Sequence, residues 1–156
     1  MSFNAEAESQ LKFRPIGIIH TETEDKDIGS TRRTNIKSIE IFNQFRLALE
    51  GIEEYSNIFV LFWMTKGNIH RELNCLPRGN KNYKKVGALA YRGRNHPNPI
   101  GLAVCDLVAR EENILKVLKL DAYDGTLVID IKPYDDYDVF PNPATPEWFK
   151  KVRTKG

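Results

Sequence analysis

Residues 86–108 read VGALAYRGRNHPNPIGLAVCDLV, and how they are parsed decides the fold. Residues 86–91 and 101–108 are short and apolar with β-branched side chains, as strands are. Between them lies a corner holding Arg92, Arg94 and His96 and two prolines one residue apart. Pro97 and Pro99 fix their own φ and push His96 and Asn98 away from helical backbone. Gly93 and Gly101 allow turns or close approaches that a side chain would resist. A stiff basic corner between two strands suits the holding of a ligand, and it equally suits a plain turn.

Outward from the corner, strand signals recur. Residues 13–21, FRPIGIIHT, read as a first strand with Pro15 at its beginning or at an edge. Residues 22–33 are polar and mixed in charge around Gly29 and Ser30, and predict a long loop. Residues 36–42 alternate, with Ile36, Ser38, Glu40 and Phe42 on one side and Lys37, Ile39 and Ile41 on the other. Phe45, Leu49 and Ile52 at helical spacing predict a short helix over 43–49, stopped at Gly51. Residues 58–64, IFVLFWM, are apolar on both faces and predict a strand buried on both sides. Residues 65–82 have few apolar anchors and read as an excursion.

After the corner, residues 114–120 alternate again, and Glu111, Glu112 and Asn113 predict a hairpin with the preceding strand. Residues 121–125 form a turn and 126–132 a last strand; the prolines beyond keep the chain extended up to a helical turn near 147–152. Six or seven closely spaced strands with one or two short helices predict a mainly-β fold, a compact β-barrel-like domain or a sandwich, and not a Rossmann fold. The expected organisation is a domain over 13–140, a flexible tail over 1–12 and a Pro-rich, basic extension over 141–156.

Composition narrows the function classes. At 156 residues, 41% hydrophobic and 28% charged, the chain is an ordinary globular domain. Its longest apolar run is far too short to cross a membrane, and its acidic start does not resemble a secretory signal. Cys75 and Cys105 lack metal-ligand spacing, and His20, His70 and His96 are scattered, so no metal site is expected. Two isolated thiols fit a reduced, cytoplasmic protein. Glycine-rich nucleotide loops and a nucleophile elbow are missing. The charge distribution is uneven. No acidic residue lies between Glu72 and Asp106, an interval holding Arg78, Lys81, Lys84, Lys85, Arg92 and Arg94. That asymmetry matches a polyanionic partner such as a nucleic acid, or a merely solvated basic face.

Three ordered segments carry a resemblance: 87–92 (GALAYR), 96–102 (HPNPIGL) and 120–134 (LDAYDGTLVIDIKPY). With 15–19 (PIGII), 51–56 (GIEEYS) and 61–63 (LFW), they resemble, in the same order, the motifs of the TrmO family. That family comprises S-adenosylmethionine-dependent tRNA methyltransferases acting on N6-threonylcarbamoyladenosine beside the anticodon. The resemblance implies a β-barrel methyltransferase working as a homodimer, with S-adenosyl-L-methionine as cofactor and tRNA as partner. By match to family positions, cofactor contacts fall on Ile28, Gly29 and Ser30, on Thr65 and Lys66, on Arg92, on Leu102, and on Leu118, Lys119, Leu120 and Asp121.

An arginine can clamp a carboxylate or phosphate bidentately, so Arg92 suits either cofactor or RNA. Asp121 is the expected catalytic base, because an acylated nitrogen needs help in losing its proton; alternatively Asp121 and Asp124 only shape the turn before Gly125. Arg94, His96, Lys84 and Lys85 are the expected RNA contacts. One departure stands out: the family usually has arginine directly before Pro-Asn-Pro, where this chain has His96, with Arg94 two residues earlier. Two other readings remain open, a same-fold methyltransferase with a small-molecule or different RNA substrate, and a non-catalytic RNA- or ligand-binding barrel.

Overall fold

A computed structural model describes residues 12–64, 66, 72–93 and 95–153. Six strands close into a barrel: β1 (Gly17–His20), β2 (Lys37–Ile41), β3 (Asn57–Trp63), β6 (Ile100–Glu111), β7 (Ile114–Leu118) and β8 (Leu127–Pro133). Their order around the barrel is β1-β2-β7-β6-β3-β8, and every neighbouring pair is antiparallel. Closure comes from β1 and β8, through Gly17 opposite Val128 and Ile18 opposite Leu127. A separate two-stranded hairpin, β4 (Asn74–Cys75) with β5 (Val86–Gly87), sits in the excursion between β3 and β6.

Period-two alternation fills the barrel, since successive side chains on a strand point to opposite faces. Ile19, Ile39, Ile41, Ile58, Val60, Phe62, Ala103, Cys105, Leu115, Val117 and Val128 meet inside as one buried cluster. Two irregularities keep that cluster continuous. Leu61 pairs with Asp130 but Phe62 pairs with Val128, so Ile129 is bulged out and both Val128 and Ile131 reach the core. A second bulge at Val108 separates Leu107, opposite Val117, from Ala109, opposite Lys116. At the barrel wall, Gly101 pairs with Phe62, whose ring covers it so closely that a Cβ there would collide with the ring.

The mainly-β barrel agrees with the sequence reading; several elements differ. Residues 86–91 are not the partner strand of β6: after the two residues of β5 the chain winds into a single 3-10 turn, Ala88–Ala90. The corner therefore joins a small surface hairpin to the barrel rather than two barrel strands. β3 is fully buried only on its Ile58, Val60 and Phe62 face; Phe59, Leu61 and Trp63 are half-buried on the outside. Tyr134 packs edge-on against Phe59, and Phe13 packs against Trp63. The polar segment after β1 contains a 3-10 turn (Asp25–Asp27) and one turn of α-helix, α1 (Ile28–Thr31), anchored by the buried Ile28. The helix expected over 43–49 is a 3-10 helix, Asn43–Leu49, and Gly51 follows it with φ of 82°, a left-handed value that suits glycine.

Candidate active site

β6 outruns its neighbour β7. The last paired residues are Asp106 and Leu118, so β6 continues to Ile100 without a barrel partner on that side. The chain leaving β7 turns at Lys119, with φ of 68°, and runs over the barrel end. Leu120 and Ala122 plug the interior, leaving Asp121 between them facing out. This segment is fixed from several directions. The Lys119 amide donates to the Arg32 carbonyl at 2.6 Å, and Gly125 N–H donates to the Ile19 carbonyl at 2.9 Å.

Most of the expected cofactor residues gather here. Arg32 directly follows α1, which carries Ile28, Gly29 and Ser30, and its Nη1 lies 3.4 Å from Asp121 Oδ2. Lys66 Nζ sits 3.6 Å from Asp25 Oδ2 and 5.7 Å from the centre of the Tyr123 ring. Lys119 Nζ reaches Asp106 Oδ1 at 2.8 Å. Arg92 Nη2 donates to the Leu102 carbonyl at 2.8 Å, tying the corner to β6 four residues from Asp106. At strand spacing that is about 13 Å along the same outward face. Thr65 and Arg94 lie outside the described residues.

His96 turns inward on the corner itself. Its Nε2 lies 2.7 Å from the Tyr91 carbonyl, which can only accept, so that nitrogen carries the proton. Lys84 and Lys85 are exposed on the excursion, away from any described contact with the barrel end. Asp124 is used structurally: its Oδ1 accepts from the Thr21 amide at 2.9 Å. An open groove of about 690 Å³ lies beside this contact, lined by His20, Thr21, Thr23, Asn35 and Ser38, and it includes none of the expected cofactor residues.

Sequence reasoning missed four residues of the cluster, Arg32, Lys37, Asp106 and Tyr123. The first two were visible as cations beside the β1–β2 loop, yet only the fold carries them to the 119–124 segment. Lys37 projects into the barrel from β2, and its Nζ donates to the Ala122 carbonyl at 3.1 Å. Burial lowers its pKa, while Asp121 and Cys105 push it back up. Burial, with help from Asp121 and Asp106, pushes the Cys105 thiol up to about 12. Cys105 is therefore a protonated core residue rather than a nucleophile. Among the described residues, no group of three or more His, Cys, Asp or Glu side chains is placed to hold a metal ion. No helix among them is long and apolar enough to cross a membrane.

Residues 19–138 match the family model of the tRNA-methyltransferase O N-terminal domain. The chain belongs to that family. A probable S-adenosyl-L-methionine-binding protein of Methanothermobacter thermautotrophicus is 37% identical over 136 residues, covering 85% of this chain and 96% of that protein. The tRNA (adenine(37)-N6)-methyltransferase of Escherichia coli is 32% identical over 139 residues, covering 81% of this chain and 58% of that protein. Among solved structures, TrmO from Pseudomonas aeruginosa superposes with a TM-score of 0.68 at 27% identity, over 86% of this chain and 61% of that one. The chain thus spans about three-fifths of the length of the solved TrmO chains it matches.

Proposed function

We propose that this chain is an S-adenosylmethionine-dependent methyltransferase that methylates N6 of threonylcarbamoyladenosine in a tRNA anticodon loop. The observation that carries it is the convergence of α1, Arg32, Lys66 and the 118–123 segment at one barrel end, within a TrmO-family domain. The donor set fits the cofactor. Arg92 and Lys66 are cations for its carboxylate; Asp121, Asp106 and Asp25 are carboxylates for its cationic groups; Leu102, Leu118 and Tyr123 offer apolar or aromatic surface for adenine. The bound cofactor supplies an electrophilic methyl group on a sulfonium.

The protein's own contribution is then positioning and proton removal. Asp121 is the outward-facing carboxylate of the segment, held by Arg32, and is the base in this reading. Asp124 belongs to the turn. Lys84, Lys85 and Arg94 supply the basic approach for RNA phosphates, while His96, turned inward onto the Tyr91 carbonyl, holds the corner in shape; a second copy of the chain packs on the outward face of β6. Leu102, Val104 and Val108 are 37–48% exposed there, an apolar stripe that supports a homodimer. A cytoplasmic location is part of the same proposal.

Incubation of the protein with tRNA and S-adenosylmethionine, followed by mass spectrometry of nucleosides, tests the reading. The expected product is threonylcarbamoyladenosine carrying one added methyl group. Cofactor binding by calorimetry without any methylated nucleoside would move the protein to a small-molecule substrate. No binding at all, with the protein folded, would leave a non-catalytic barrel.

A further inference from the structure

Lys37 is the largest wholly buried side chain among the described residues, and the one buried cation. A lysine inside a small barrel is costly to keep, because the interior cannot replace the water around an ammonium. Its aliphatic stem runs inward from β2, next to Val117 on β7, and its Nζ ends on the Ala122 carbonyl. Ala122 belongs to the 119–124 segment, whose other anchors include the plugged Leu120, the Lys119 amide on Arg32, the Arg32–Asp121 pair and the Thr21 amide on Asp124. The ammonium touches the Ala122 carbonyl and feels the charge of Asp121, whose side chain faces out from that segment, and of Cys105 on β6, which in turn feels Asp106 and Lys119.

We propose that Lys37 is a positioning residue for the cofactor segment: by binding the Ala122 carbonyl from inside the barrel, it fixes the backbone that carries Asp121 and Lys119. The proposal rests on the reading of residues 118–121 as a cofactor wall. Asp121 is steadied from outside by Arg32 and from beneath by Lys37 acting through its neighbour's carbonyl. A packed apolar side chain at position 37 would fill the same space, but it would leave that carbonyl without its donor.

Lys37→Met tests this, with three readouts. Hydrogen–deuterium exchange at the Lys119 and Gly125 amides, the hydrogen-bonded donors that bound the segment, is expected to accelerate at least tenfold, while the amides of Ile39 and Leu115 keep their protection. The Kd for S-adenosylmethionine is expected to rise at least tenfold, with Tm changing by only a few degrees. Lys37→Gln, which keeps an N–H donor on a shorter chain, is expected to fall between the two, and it serves in place of Lys37→Met if that variant does not fold. Unchanged exchange and unchanged Kd would overturn the proposal, as would a uniform loss of protection with Kd unaltered. If the wild-type protein binds no S-adenosylmethionine, the functional reading fails, and the exchange measurement alone decides whether Lys37 holds the segment.

Discussion

At the scale of residues, the ion pairs of the barrel end matter for geometry more than for stability. Arg32 and Asp121 are each nearly half exposed and 3.4 Å apart, and such pairs contribute about 0–1 kcal/mol. Asp121→Asn is therefore expected to leave Tm nearly unchanged while abolishing most methyl transfer; activity at the wild-type level would remove Asp121 from the base role. Arg92→Ala deletes a cation whose contact with a carboxylate is worth about 1.5–3 kcal/mol, so Kd for S-adenosylmethionine is expected to rise about tenfold to a hundredfold by calorimetry.

Cys105 yields a prediction about pH. Its folded pKa is raised from 9.0 to about 12, so the native state holds the thiol proton where the unfolded chain releases it. Its contribution is fully present below pH 9 and is lost as pH rises toward about 12, where the shift corresponds to about 4 kcal/mol. Lys37 acts with opposite sign: its lowered pKa makes the native state bind fewer protons just below 10.5, so stability gains there. Urea titrations at pH 8 and pH 10.5 are expected to show a net loss that Cys105→Ala reduces; an unaltered slope in that variant would assign the alkaline transition elsewhere.

At the scale of elements, the corner and β6 show how far local pattern carries. The prolines and glycines predicted a stiff turn, and Arg92 is anchored at its start by the Leu102 carbonyl. The segment before it fails as a barrel strand because it winds into the Ala88–Ala90 turn, and its two β residues pair with Asn74 and Cys75 instead. Nothing in its apolar composition distinguishes those partners, since pairing is a long-range choice. Gly101 is a second case. Its place opposite Phe62, under the ring, means that Gly101→Ala must displace an aromatic side chain inside a packed barrel. The expected cost is about 1–3 kcal/mol, read as a lower urea midpoint at unchanged m-value.

At the scale of the whole molecule, β6 leaves Leu102, Val104 and Val108 exposed on its outward side, interrupted by Asp106. Val104→Glu on β6 places a charge in that stripe. Sedimentation velocity is expected to show a dimer for the wild type and a monomer for the variant, with far-UV dichroism unchanged; a monomeric wild type would remove the homodimer from the functional reading.

The sequence by itself determined the strand-rich class, the positions of most strands and turns, the ordered motifs of the family, and only part of the set of residues gathered at the barrel end, with Arg32, Lys37, Asp106 and Tyr123 left out. These are properties of local spacing, period-two alternation and backbone restriction by proline and glycine, all legible along the chain. Only the tertiary structure decided which residues meet. Lys37 and Ala122 are 85 positions apart, and Arg32 and Asp121 are 89. Closure of β1 onto β8, the bulges at Ile129 and Val108, and the extension of β6 beyond β7 set those encounters. Pairing register is a property of two distant strands at once, and a single strand's pattern of side chains leaves it free.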